Sequence, residues 1–106
     1  MRRRRNLRNW PHDVYRAYDE SGRLLYVGMT CDIAARMNRH RSSSVWYSQA
    51  VMVRVEVYPD RRSAQQAEAR AIAEEGPVFN QRSALLDGTR PEPTEAFEVS
   101  LDGWVA

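Results

Sequence analysis

The sequence predicts an α/β domain of the α+β kind: a small three-stranded antiparallel sheet flanked by helices, in the order β-β-α-β-α-α. Two strand-like runs, Val14 to Tyr18 and Leu24 to Gly28, flank the turn Asp19-Glu20-Ser21-Gly22. A third run, Val51 to Tyr58, sets four valines on one face and Met52, Arg54, Glu56 and Tyr58 on the other, the period-two pattern of a strand. Two segments, opening near Asp32 and Ser63, space their apolar residues three and four apart and read as amphipathic helices.

A chain of 106 residues holds one domain with a modest core. Cys31 is the only cysteine, so no internal disulfide forms and a reducing, cytoplasmic setting is expected. No apolar run reaches the length of a membrane span. MRRRRNLRNW has no apolar segment behind it and does not read as a secretory signal. Charge is unevenly placed. Met1 to Val45 carries ten arginines against four acids, Trp46 to Ser83 is balanced, and Ala84 to Ala106 has one arginine against five acids. Three parts are expected: a basic flexible arm over 1–12, a folded domain over 13–83, and an acidic, weakly ordered tail over 84–106. The arm, with Arg2, Arg3, Arg4, Arg5 and Arg8, repels itself and buries nothing, and it suits a phosphate backbone. Lysine is absent, which fits biased codon usage better than selection for guanidinium chemistry.

The elements follow in order. Gly22 supplies the positive φ that the first turn wants, and Gly28 permits a bend or a close approach at the end of the second strand. Asp32, or else Thr30, caps the first helix. Ile33 and Met37 share its core-facing stripe, and Arg36 and His40 stack on an adjoining strip. Arg39 and Arg41 fall outside that row, and Arg41-Ser42-Ser43-Ser44 reads as a loop. Pro59-Asp60 stops the third strand. Ser63-x-x-Gln66 has the form of a capping box opening the second helix, which runs to Glu75 and stops at Gly76. Its apolar stripe is Ala64, Ala67, Ala71 and Ile72. Glu68 lies on or beside that stripe, where a carboxylate is costly unless a cation meets it. Val78 and Phe79 can close the core, and Phe97 to Leu101 is a candidate added edge strand.

Taken singly, Tyr15 and Tyr26 fit strand packing, His40 a surface histidine, Arg36 and Glu68 an ion pair, and Asn80 a cap. Their succession is more specific: Asp13-Val14-Tyr15, Tyr26-Val27-Gly28, Arg36 with His40 one turn on, Glu68 followed by Ala69 and Ile72, and Pro77-x-x-Asn80. In that order and in those elements the chain resembles the GIY-YIG nuclease domain family, and closely the short form at the N-terminus of the incision subunit of bacterial nucleotide-excision repair. The resemblance covers about residues 13–82. Asp13 stands where the family usually has glycine.

The resemblance implies a metal-dependent DNA endonuclease with Mg²⁺ (or Mn²⁺) as cofactor. It implies that Glu68 anchors the cation, Arg36 holds the scissile phosphate and Tyr15 is the general base. Tyr26 would position water or phosphate. His40 would accept the Tyr15 proton or contact phosphate, and Asn80 would orient Glu68 or the backbone. Arg39 and Arg41 join the arm as DNA contacts. Target choice would come from the arm, from DNA structure or from a protein partner. Two rivals stand beside this reading: a nucleic-acid-binding module of the same fold without catalysis, and a protein-binding adaptor using the acidic tail.

Overall fold

In the computed structural model, which describes residues 9–80 and 90–101, Asp19 organises the first hairpin. Its carboxylate accepts from Ser21 N, Ser21 Oγ and Arg23 N at 2.8–3.0 Å, and Gly22 takes φ 84°. The turn joins β1 (His12–Asp19) to β2 (Leu24–Thr30), which pair antiparallel with Tyr15 opposite Gly28 and Ala17 opposite Tyr26. The register shifts past Ala17, and this bulge leaves Leu25 as an extra residue.

The sheet order is β2-β1-β3-β4, with β3 (Ala50–Tyr58) against β1 and β4 (Glu95–Ser100) on the outer edge, all antiparallel. The sheet therefore has four strands, not three, and the fourth comes from the candidate edge run around Phe97. Its glutamates and flanking prolines masked it in sequence. The expected third α-helix does not follow the second among the described residues. A 3-10 helix at Val45–Gln49 instead bridges the first helix and β3.

Helix α1 (Ile33–Ser43) starts behind Asp32, whose side chain accepts from Ala35 N. It continues through Arg41-Ser42-Ser43, which the sequence had suggested as loop. Ser42 and Ser43 donate their hydroxyls to Arg39 O at 3.1 and 2.8 Å, so these helix-weak residues satisfy themselves inside the helix. Helix α2 (Arg61–Glu75) opens earlier than the capping-box pattern suggested: Asp60 is its N-cap and accepts from Ser63 N at 2.8 Å. Aspartate and serine cap equally well, and here Asp60, directly after Pro59, holds the position while Ser63 supplies the N–H it accepts. Gly76 ends the helix with φ 60°, the left-handed turn only glycine adopts cheaply.

Two apolar clusters cover the two faces of the sheet. Tyr15, Ala17, Leu25, Val53 and Val55 pack with Met37 of α1 and Trp46. Val14, Val27 and Tyr58 pack with Ala64, Ala67, Ala71 and Ile72 of α2. On the α2 face Arg16 is also nearly enclosed: it donates to Glu56 at 2.7 Å and to both Glu75 oxygens at 2.8 and 2.9 Å. Burial pushes the Glu56 carboxyl up, but Arg16 outweighs it and holds the group below its ordinary value. The closing segment pairs along the free edge of β2, Val78 N to Leu24 O and Phe79 N to Leu25 O. There Pro77 is buried and Phe79 half-buried, while Val78 stays exposed.

Removing the guanidinium would leave Glu56 with a largely buried charge. We expect Arg16→Ala to cost about 2–3 kcal/mol in urea unfolding. A loss under about 0.5 kcal/mol, the scale of a surface ion pair, would contradict this account of the α2 face.

Candidate active site

Tyr15 has no solvent-exposed surface. Its ring lies across Gly28, its partner on β2, and a Cβ at Gly28 would overlap Tyr15 Oη, Cζ and Cε1. Glycine is needed there to make room for the aromatic ring. From α1, Arg36 Nε donates to Tyr15 Oη at 3.2 Å, and His40 Nε2 lies 2.7 Å from the same oxygen. These two side chains are one helical turn apart, so a single phenol meets both. His40 Nδ1 in turn contacts Ser44 Oγ.

Aromatic rings wall the site. Trp46 stacks on Tyr26 with centroids 5.0 Å apart and planes 12° apart, and it lies 4.7 Å from the His40 ring. Tyr26 lies 6.1 Å from Tyr15 and 5.4 Å from His40. Tyr26 remains half-exposed and forms the open side of the cluster.

Asn80 works on the backbone rather than on Glu68. Its Oδ1 accepts from Val27 N at 2.8 Å and its Nδ2 donates to Val27 O at 2.9 Å, so it pairs the β2 edge at the residue between Tyr26 and Gly28. Glu68 is half-buried on α2. Burial raises the Tyr15 pKa well above its ordinary value; the Arg36 hydrogen bond and charge oppose this, and the charges of Tyr26 and Glu68 add to it. Glu68 thus lies within electrostatic reach of the phenol. His40 moves the other way: burial first, then the charges of Arg36 and Arg39, hold its pKa down to about 4. At neutral pH the pair is a neutral phenol and a neutral imidazole.

Arg39 and Arg41 are exposed on α1, outside the Arg36/His40 row as expected. Arg2, Arg3, Arg4, Arg5 and Arg8 lie outside the described residues. Sequence reasoning missed Trp46 and Ser44. The Val45-Trp46-Tyr47 run directly after the helix was the available signal, because a tryptophan so close to His40 has to pack on something nearby. Among the described residues no group of three or more His, Cys, Asp or Glu is placed to hold a metal. The half-buried Glu68 is one carboxylate of the kind that would hold Mg²⁺, which keeps several waters and takes other ligands from substrate phosphate.

Residues 11–82 match the family model described as the GIY-YIG catalytic domain. The chain belongs to the GIY-YIG family. Its members are nuclease-type domains that generally act as endonucleases on DNA and use divalent metals. Neither a curated protein nor a solved structure matches the chain, so the narrower likeness to the excision-repair incision subunit rests on the residue pattern alone. The GIY-YIG core spans β1 through Asn80, and β4 adds an edge to it. No helix among the described residues is long and apolar enough to cross a membrane.

Two outcomes follow for this domain. Gly28→Ala should displace the Tyr15 ring and destabilise the fold by about 2 kcal/mol or more; an unchanged urea midpoint would contradict the ring's placement. The groups facing His40 are Arg36 and Arg39 from α1, Tyr15 from β1, Tyr26 from β2 and Trp46 from the 3-10 helix. Because the folded protein refuses a proton that the unfolded chain accepts below about 6.5, stability should fall as pH drops from about 6.5 toward about 4, by about 2–3 kcal/mol in all. His40→Gln should flatten that limb in urea titrations, and parallel curves for both proteins would refute the buried neutral imidazole.

Proposed function

We propose that this domain is a metal-dependent DNA endonuclease, acting in the cytoplasm, in which Tyr15 and His40 handle the proton of the attacking water. Arg36 engages the scissile phosphate and Glu68 anchors Mg²⁺ or Mn²⁺. The observation that carries this reading is the Tyr15 hydroxyl held between Arg36 Nε and His40 Nε2.

Phosphodiester hydrolysis needs a water made nucleophilic and charge stabilised on the phosphoryl oxygens. A free phenolate is a poor candidate here. With the phenol above its ordinary value and the imidazole at about 4, outright transfer from Tyr15 to His40 would climb at least ~8 kcal/mol. A concerted relay avoids that climb: Oη takes the water's proton as its own proton passes to Nε2. Water must first reach Oη, which is sealed. Arg36 is the half-exposed side chain lying over it. Drawing the guanidinium onto a phosphate both neutralises the phosphoryl oxygens and opens Oη. Tyr26, on the open side, lines the path for water or phosphate. A cation at Glu68 supplies Lewis-acid activation and stabilises the leaving oxygen when bound. Asn80, through Val27, keeps the Tyr26–Gly28 segment in register beneath the rings. Arg39, Arg41 and the arm arginines Arg2, Arg3, Arg4, Arg5 and Arg8 neutralise phosphates away from the cut. Target choice by DNA structure or by a protein partner belongs to the same reading.

One observation favours the binding-module alternative. Asp13, on the same sheet face as Tyr15, is partly desolvated and feels Glu95 and Asp32, so burial and these acids raise its pKa despite His12. Negative charge at this end of the sheet opposes phosphate.

Flapped, nicked, single-stranded and duplex DNA, incubated with Mg²⁺ or Mn²⁺, separate the two. We expect cleavage of at least one substrate, lost on chelation and lowered about 100-fold or more by Tyr15→Phe and by Glu68→Ala. Binding without metal-dependent cutting would replace the nuclease reading with the binding module.

A further inference from the structure

The hydrogen-bond chain around Tyr15 fixes where its protons sit. An arginine can only donate, so Arg36 Nε–H takes one lone pair of Tyr15 Oη at 3.2 Å. The phenol has no exposed surface, and its own hydroxyl proton needs an acceptor inside the protein. His40 Nε2, at 2.7 Å, is that acceptor. A neutral imidazole that accepts at Nε2 carries its proton at Nδ1, and Nδ1 faces Ser44 Oγ. The opposite tautomer would aim Nε2–H at Oη and strand the buried phenol proton.

We propose that Ser44 is the positioning residue of this site: its Oγ accepts Nδ1–H of His40 and so keeps Nε2 available for the Tyr15 proton. Ser44 touches no reacting atom. Its place is set by the end of α1, where its backbone N–H bonds His40 O at 2.9 Å and its own φ of −103° leaves the helix. That backbone bond brings the hydroxyl back onto the imidazole one turn behind it. Because the backbone contact does not need the side chain, Ser44→Ala removes the hydroxyl and keeps the cap. An extended backbone also accepts threonine, so Ser44→Thr retains the hydroxyl. The catalytic consequence rests on the nuclease reading; the position of the proton does not.

The test is long-range ¹H–¹⁵N correlation of the histidine rings in the full chain at pH 7, without DNA or metal. The chain has two histidines. His12 is an internal reference, since its Nδ1 faces Trp10 O at 2.8 Å and a carbonyl can only accept. Wild-type His40 should show the same Nδ1–H pattern. Ser44→Ala should shift it toward Nε2–H and lower kcat for DNA cleavage about tenfold with KM within about twofold, and Ser44→Thr should restore both. A wild-type proton on Nε2, an unmoved tautomer in Ser44→Ala, or a moved tautomer with full kcat would each overturn the proposal. A wild-type protein that cuts no DNA but keeps the Nδ1–H pattern, lost in Ser44→Ala, would sink the nuclease reading while upholding the placement of the proton by Ser44.

Discussion

A phenol sealed from water has to find its hydrogen-bond partners inside the protein, and the site is arranged around that demand at Tyr15. Gly28 makes room for the ring by lacking a side chain. Arg36 and His40 supply the donor and the acceptor because α1 presents them one turn apart. Helix α1 is in turn held against the sheet by Met37, fully buried, with Ile33 beside it. Trp46 closes the cluster by stacking on Tyr26 and leaning on His40. Each of these groups has a packing reason to be where it is, and together they leave one phenol oxygen between an obligate donor and a neutral imidazole.

The alternation of β1 divides the work between the two faces. Tyr15 and Ala17 turn toward α1, while Val14 and Arg16 turn toward α2. A slip of one residue would exchange the phenol for the guanidinium and invert both faces. The Arg16 bonds to Glu56 and Glu75 resist such a slip, because only the native register brings both carboxylates to one arginine. The cross-strand pairs of Tyr15 with Gly28 and with Val55 do the same from the other side. A polar device on one face thus protects the geometry of the other.

Much of this is legible in the sequence. The Val51 to Tyr58 alternation gave a strand with two distinct faces, Asp32 gave a cap, and Gly76 gave a helix stop, because each rests on local backbone chemistry. The Arg36/His40 pair was readable from helical spacing alone. What stayed hidden depended on contacts distant in sequence. The ring of Tyr15 over Gly28 joins two strands whose register the poor alternation of Val14 to Tyr18 left open. Asn80 could not be assigned to the Val27 backbone without knowing that residues 78–80 return along β2. Ser44 ends, and Trp46 follows, a stretch whose serines argued for a loop, yet the Ser42 and Ser43 hydroxyls turn back onto Arg39 O and the helix runs on. The fourth strand was hard to see because its glutamates are stabilised in place, Glu98 facing Arg54 across the β3 pairing.

In the proposed nuclease reading, a carboxylate from α2 and the rings of β1, β2 and α1 share one cation site. Glu68 lies within electrostatic reach of the Tyr15 phenol, while Asp13, Asp32 and Glu95 make a competing negative region at the end of the sheet. Paramagnetic broadening by Mn²⁺ distinguishes the two most directly. Titrated into the full chain at low occupancy, Mn²⁺ should broaden the ring signals of Tyr15, Tyr26 and His40 first, and Glu68→Ala should abolish that selectivity. Broadening centred on Asp13, Asp32 and Glu95 and unchanged in Glu68→Ala would contradict the account.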